Sequence, residues 1–285
     1  MRGGLNRQKI FVQNMLHSIL FVPANCPDRF EKALATAADI VLIDLEDAVG
    51  FADKDIAREA LILYAKKGLQ KRIAIRLNSP HTLVGLKDLI ALQENNIQPE
   101  IIVLPKVESA STINLMTEIL GNEAYMPKTL AMVETPKGIH LLRKMAQESR
   151  NLRGFALGAA DFSNEMNILP TWEALQPYRA QIVSVCKEFG LISIDSPYFE
   201  IQNIEGLQQE CNNLKMIGFD GKFAIHPTQI PVINATFYPT EAEITLAKII
   251  VEAFEASHKG AIQVQGMMID KPIYEKYKRK LKINP

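Results

Sequence analysis

The chain holds 285 residues, 47% hydrophobic and 22% charged, an ordinary composition for a globular protein with a large core. Its 32 basic and 32 acidic residues cancel, and a pI near 7.0 gives no case for a nucleic-acid or polyanion surface. Cys26, Cys186 and Cys211 match neither a disulfide framework nor a zinc site, and no apolar stretch is long enough to span a bilayer.

The N-terminal MRGGLNRQKIFVQNML is basic with a weak apolar patch. Without a proper apolar core or small-residue cleavage site it reads as a short arm, not a signal peptide. Free thiols then point to a reducing cytoplasm. Eight short apolar runs follow, at residues 17–22, 40–45, 72–77, 101–104, 129–133, 154–157, 191–194 and 222–225. Near-continuous runs of this kind suit strands covered on both faces.

Helical periods lie between them. The first begins near Pro27, a residue suited to a first helical turn, with Phe30, Ala33, Leu34 and Ala37 as its apolar stripe. The next spans 53–67 with Ile56, Ala60 and Leu63 inward, and others follow at 81–92, 109–120, 138–147, 173–189 and 205–217. The sixth unit is rich in glycine and alanine before Asp161, and its helix comes late, so a longer functional loop is predicted there. Past the eighth run, 241–257 is helical, Lys259-Gly260 breaks it, and AIQVQGMMID precedes a basic helix at 272–281.

Strand–helix alternation predicts a parallel sheet, and eight units fit a (β/α)8 TIM barrel. The predicted layout is an arm at 1–16, a barrel at 17–238 and a C-terminal helical extension at 239–285. The extension either caps the barrel or reaches a neighbouring subunit.

Active sites of such barrels sit at the C-terminal ends of the strands. The polar residues there are Asn25, Glu46, Asp47, Arg76, Asn78, Lys106, Glu134, Asp161, Asp195 and His226. Glu134 and Asp161, with no thiolate or histidine nearby, suit a hard cation such as Mg2+, which takes one or two carboxylates and keeps waters for substrate to replace. Glu46 could hold a metal-bound water. Any one of these acids could instead pair with a cation or cap a helix; three on one predicted face favour chemistry. Arg76 is either their salt-bridge partner or a bidentate grip on a substrate carboxylate. Lys106 is either a Schiff-base lysine, which needs a lowered pKa, or an ion-pair partner. His226 is an acid/base or a ligand-binding ring, although a histidine before proline is more often structural. Asp270, in the apolar GMMID segment, is expected to be carried to a buried place. His17, His81, His140 and His258 have no motif around them.

SILFVPAN, DLEDAV, KDIAR, IRLN, LPKVES, VETPKGI, LGAADF, GKFAIHP and GMMIDKP occur in this order. Together they resemble the citrate lyase β-subunit-like proteins of the HpcH/HpaI aldolase superfamily, which include malyl-, citramalyl- and citryl-CoA lyases. The likeness runs from His17 to about Lys278. It implies a Mg2+-dependent enzyme that cleaves or forms a β-hydroxyacyl thioester, giving a keto acid or carboxylic acid and an acyl thioester. Glu134 and Asp161 match the family's metal ligands, Arg76 its carboxylate-binding arginine, and Glu46 an acid near the metal. Phe21, Lys32, Ala160, Ile225 and His226 fall at substrate positions, the last two lining the thioester site. Asp270 matches an acid that some members supply to a neighbour's active site. The resemblance also implies a homotrimer or hexamer, with CoA or acyl-carrier protein as the thioester carrier. The stretch LFVPANCP departs from a family pattern like LFVPGSRP: Ala24 replaces glycine, and Cys26 replaces an arginine that faces phosphate. His17 also stands where arginine is common, and Arg29 or Lys32 could restore the lost charge. The rival readings are an aldolase acting on free hydroxy-keto acids, a malyl-CoA thioesterase, and a catalytically silent partner subunit.

Overall fold

A computed structural model of the chain describes residues 16–69, 72–257 and 259–281. Eight parallel strands close into a barrel in sequence order: β1 (Ser18–Pro23), β2 (Ile40–Asp44), β3 (Ile73–Arg76), β4 (Ile101–Leu104), β5 (Lys128–Val133), β6 (Leu152–Leu157), β7 (Ile192–Asp195) and β8 (Gly221–Ala224). β8 returns to β1 through the pairs Ser18–Lys222 and Leu20–Ala224. The barrel interior is filled by alternate strand residues, among them Ile19, Leu42, Val103, Leu130, Ala156 and Phe223. Full burial of such an aliphatic or aromatic side chain stabilises the fold by roughly 1.5–3 kcal/mol. The other strand face packs outward on helices, so both faces are apolar and the strands read as runs rather than as alternation.

The helices of this unit are α1 (Phe30–Leu34), α2 (Lys54–Ala65), α3 (Leu83–Glu94), α4 (Ala110–Leu120), α5 (Pro136–Glu148), α6 (Ala159–Met166), α7 (Trp172–Phe189), α8 (Ile204–Ile217) and α9 (Ile230–Phe237). Thr82, Ser109, Thr135 and Thr171 each cap a helix, their side-chain oxygens accepting backbone N–H bonds from the first turn. Such caps contribute about 1 kcal/mol each.

Three local expectations need correction. On α2, Ile56 and Leu63 are exposed and Ala60 is half-buried, while Ala57, Arg58, Leu61 and Tyr64 face inward. The buried Arg58 pairs with Asp88 on α3 (Nε–Oδ1 3.0 Å), which turns the helix by one residue, roughly 100°. α1 ends at Leu34, so Ala37 lies outside it and is exposed, and Ala38 takes the buried place. After β6 the chain forms α6 instead of a long loop.

The chain divides into two compact units, the barrel unit at Leu16–Asn234, whose boundary falls within α9, and a second that includes the described residues from Ala235 on. The expected arm at 1–16 lies outside the described residues except for Leu16. In the second unit, α10 (Glu241–Ser257), the antiparallel hairpin β9 (Ala261–Val264) and β10 (Met267–Asp270), and α11 (Lys271–Lys280) share a core. Ile250, Val264, Ile269 and Tyr274 form that core, and Phe254 stacks on Tyr274 at 4.7 Å. The hairpin turns at Gln265-Gly266, both at positive φ, as a two-residue turn of the type that matches strand twist requires. No helix among the described residues is long and apolar enough to cross a membrane.

Candidate active site

A cavity of about 360 Å3 opens at the C-terminal ends of the barrel strands. One arc of its wall carries the charges, Asp44 and Asp47 from β2 and its loop, Arg76 from β3, Glu134 after β5 and Asp161 in α6, interspersed with Ala48, Met132, Gly158, Ala159 and Ala160. The facing arc is apolar, with Phe21 on β1, Pro197 and Phe199 after β7, and Ile225 after β8.

Asp44 organises the charged arc. It is fully buried and accepts four bonds: Arg76 Nε at 2.7 Å, Arg76 Nη2 at 2.6 Å, Glu46 N at 2.9 Å and Ala48 N at 3.0 Å. Arg76 Nη1 reaches Glu46 Oε2 at 2.9 Å, and the guanidinium lies 4.8 Å from the centre of the Phe21 ring. Burial works against the Arg76 charge, but the bonds and charge of Asp44 outweigh it and raise its pKa. The Nε–Nη2 fork is thus engaged by Asp44, and the remaining nitrogen, Nη1, by Glu46.

Lys106 brackets the two acids expected to bind metal. Its backbone N–H donates to Glu134 Oε2 (2.8 Å), and its ammonium lies 2.8 Å from Asp161 Oδ2. Lys106 itself has a left-handed backbone, φ 50°, a conformation costly for a side-chain-bearing residue and often kept at functional sites. The hydrogen bond and charge of Asp161 raise the Lys106 pKa, opposite to the lowered value a Schiff-base lysine needs, which favours the ion-pair alternative.

Gly158 explains the small-residue run before Asp161. A Cβ there would lie 2.5 Å from Glu134 Oε1, so only glycine lets the carboxylate rest against the start of α6. Asp161 then falls in the first turn of α6, where the helix dipole favours negative charge.

Burial pushes the Glu134 carboxyl up to about 7, with Asp161 adding to the rise while the Lys106 N–H and Arg76 oppose it. Burial also pushes Glu46 up to about 8, against Arg76 and with Asp47, Glu134 and Asp44. Lys54 donates to the carbonyls of Leu45 and Glu46, both at 2.7 Å, and burial lowers its pKa.

These residues fit a hard divalent cation. Asp161 Oδ2 and Glu46 Oε2 are enclosed, and each meets a cation, the Lys106 ammonium at 2.8 Å and Arg76 Nη1 at 2.9 Å. The Lys106 ammonium already marks a place for positive charge. Asp44, Glu46, Asp47, Glu134 and Asp161 outnumber Arg76, Lys54 and Lys106, a formal excess of two negative charges. Among the described residues no three His, Cys, Asp or Glu side chains form a ready-made metal cage. Two carboxylates with waters is the arrangement Mg2+ tolerates.

Comparison with known proteins gives this geometry a family. Residues 17–227 match the HpcH/HpaI aldolase/citrate lyase family. The chain belongs to that family. It is 33% identical to citrate lyase subunit beta of Haemophilus influenzae over 92% of this chain and 94% of that one. It is 30% identical to the L-malyl-CoA/beta-methylmalyl-CoA lyase of Cereibacter sphaeroides, over 88% and 89%. Its fold matches CitE of Mycobacterium tuberculosis, solved in complex with magnesium, acetoacetate and coenzyme A, with a TM-score of 0.79 and 30% identity over 94% of this chain and 97% of that one.

In this HpcH/HpaI family member, Phe21, Arg76, Glu134, Ala160, Asp161 and Ile225 line one cavity, and Glu46 joins it through Arg76. Besides Glu46, three expected residues are not part of its lining. Lys32 is exposed and pairs only loosely with Asp28 at 3.9 Å. His226 accepts from Thr228 N and lies 2.8 Å from Thr228 Oγ1, capping the short turn at Pro227–Gln229. Asp270, in the second unit, caps α11 by accepting from Ile273 N at 3.1 Å. Of the other rim residues, Asp195 is buried between Arg179 and Lys222, and Asn78 binds Asp88 and the Leu45 carbonyl. Cys26 is half-buried, and Cys186 and Cys211 are buried with thiols pushed up to about 12 by burial. His17 precedes β1 and bonds the Asp220 carbonyl at 2.6 Å. Asp44, Lys54, Pro197 and Phe199 were not singled out from the sequence. For Asp44 and Lys54 the available signal was their place in the DLEDAV and KDIAR motifs.

Proposed function

We propose that this lyase acts with Mg2+ on a β-hydroxyacyl thioester such as malyl-, citramalyl- or citryl-CoA, breaking or forming the bond between the hydroxyl-bearing carbon and the thioester α-carbon. The observation that carries this reading is the pairing, in one cavity, of the charged Arg76, Glu134 and Asp161 with the apolar Phe21, Phe199 and Ile225. The charged arc suits a hydroxyacid head, and the apolar arc suits the acyl-thioester end.

Glu134 and Asp161 would hold the magnesium ion, which when bound supplies Lewis-acid polarisation of substrate oxygens. Arg76, oriented by Asp44, offers its Nη1 side to the substrate carboxylate and the developing enolate charge. A base takes the hydroxyl proton, the carbon–carbon bond breaks, the hydroxyl carbon becomes a carbonyl, and the electron pair passes to the thioester α-carbon. A proton then returns to that carbon. Glu46, with a pKa of about 8, can hold one beside Arg76 at neutral pH. Asp270 is the second candidate, acting on a neighbour's site in a homotrimer or hexamer.

Cys26 brings no positive charge to the loop after β1, which favours a carrier-protein thioester or a free acid as further substrates to test. The experiment is a cleavage screen over malyl-, citramalyl- and citryl-CoA and the corresponding free acids, with Mg2+ or excess chelator. Metal-dependent release of keto acid from a thioester supports the reading. Cleavage of free acids alone would replace it with the aldolase, and release of CoA without carbon–carbon cleavage with the thioesterase.

A further inference from the structure

The apolar arc is held by a residue with no obvious chemistry. The β7–β8 ladder ends at the pairs Ile194–Gly221 and Asp195–Lys222. Beyond it the two strands continue as irregular backbone, and both continuations line the cavity, one with Pro197 and Phe199 and the other with Ile225. Gln229, only 1% exposed, bridges them. Its Nε2 donates to the Tyr198 carbonyl at 2.7 Å, and its Oε1 accepts from Ile225 N at 2.9 Å. Only one orientation of the amide satisfies both groups. The side chain therefore replaces the ladder rung that the diverging backbones no longer supply.

Other bonds hold the two ends of this segment, with Ile201 N donating to the Phe199 carbonyl at 3.0 Å, but among the described residues only Gln229 ties it to the β8 side at Ile225. Lys222 Nζ donates to the Ser196 carbonyl at 2.6 Å, upstream of Pro197. The Tyr198 hydroxyl rests over Gly206, where a Cβ would lie 2.0 Å from it, and accepts from Asn203 Nδ2 at 3.1 Å. Phe199 is 57% exposed and lines the cavity, so a ligand bound there would bury part of its ring.

We propose that Gln229 is a specificity-determining positioning residue: it fixes Phe199 and Ile225 as one wall for the acyl-thioester end of the substrate, opposite the carboxylate and arginine arc. The proposal rests on the reading of the two arcs given under Proposed function. Loss of the bridge loosens the thioester wall and leaves the keto-acid side intact.

The test is calorimetric binding of two separate probes in the presence of Mg2+, acetyl-CoA for the wall and pyruvate for the charged arc. Gln229→Met removes both bonds at similar volume. Gln229→Glu keeps the acceptor for Ile225 N and loses the donor to Tyr198. Phe199→Ala, at an exposed position, removes the ring itself and cannot empty the core. Gln229→Met and Phe199→Ala are expected to weaken acetyl-CoA about tenfold, with Gln229→Glu between them and wild type, while pyruvate stays within about twofold. A merely structural role lowers Tm and the bound fraction without moving either Kd, and that result overturns the proposal. Equal weakening of both probes overturns it too, as does a wild-type protein that does not bind acetyl-CoA. If Gln229→Met does not fold, the other two variants decide. A wild-type protein that binds acetyl-CoA yet cleaves no thioester overturns the lyase reading alone, because Gln229 is still judged on the two Kd values.

Discussion

Arg76 meets both oxygens of Asp44, Nε at 2.7 Å and Nη2 at 2.6 Å, so the arginine that faces the cavity is aimed by an acid beneath it. Strand register makes this possible, since Asp44 and Arg76 are direct partners at the ends of β2 and β3. The fork that could bind a substrate carboxylate bidentately is engaged within the protein. The Nη1 nitrogen, which makes no bond to Asp44, pairs with Glu46 at 2.9 Å.

Arg76→Lys keeps one positive charge for Asp44 but loses the planar fork. The expected outcome is a fall in kcat/KM on the order of 100-fold, from misplacement of the charge, with a small change in Tm. Asp44→Asn removes the charge beneath the guanidinium and leaves Glu46 as its near partner, so it should destabilise by about 1–3 kcal/mol in denaturant unfolding. A large Tm loss with normal kinetics in Arg76→Lys would leave the arginine with a structural role only.

The raised carboxyls link metal binding to pH. Glu134, near 7, and Glu46, near 8, keep protons in the metal-free fold that the unfolded chain releases near its ordinary value of 4.5. Their contribution to stability is therefore fully present below that ordinary value and falls as pH rises through about 7 to 8. A cation bound by ionised Glu134 competes with the proton, so its stabilising effect grows over the same window. In thermal melts the Mg2+-induced rise in Tm should be clearly larger at about pH 8 than at about pH 5.5. Equal shifts at both pH values would contradict the assignment of Glu134 as a ligand.

Much of the barrel is legible in the sequence because parallel strands buried on both faces leave unbroken apolar runs, such as Ile40–Asp44 and Ile101–Leu104. The rim acids are legible because they follow those runs directly. What escapes is whatever depends on partners distant in sequence. The inward face of α2 is misread because Arg58 is buried against Asp88, 30 residues away, and apolar periodicity alone favours Ile56 and Leu63. α6 escapes because its eight residues, AADFSNEM, are too short a stretch to set a clear helical period. Asp44 reads as the polar end of a strand until its four donors are seen. Gln229 has no motif value at all; only the separation of the β7 and β8 continuations shows what it bridges.

The second unit carries the remaining candidate acid. Asp270 caps α11 through Ile273 N, a contact that engages one oxygen, Oδ1. If this acid serves a neighbour, Asp270→Asn and Asp161→Ala chains, each inactive alone, should regain partial activity when co-assembled. Absence of recovery in demonstrated mixed oligomers would place Asp270 in its own subunit's site or outside catalysis.

The most direct measurement is a Mg2+ titration of wild type and Asp161→Ala, followed by calorimetry and by keto-acid release from the thioester that the screen identifies. Asp161 lies half-buried with its Oδ2 enclosed beside Lys106, so its removal should spare the fold. The account predicts one bound ion per chain in wild type, metal-dependent turnover, and loss of both in the variant at nearly unchanged Tm. Full turnover by Asp161→Ala, or by wild type in excess chelator, would contradict it.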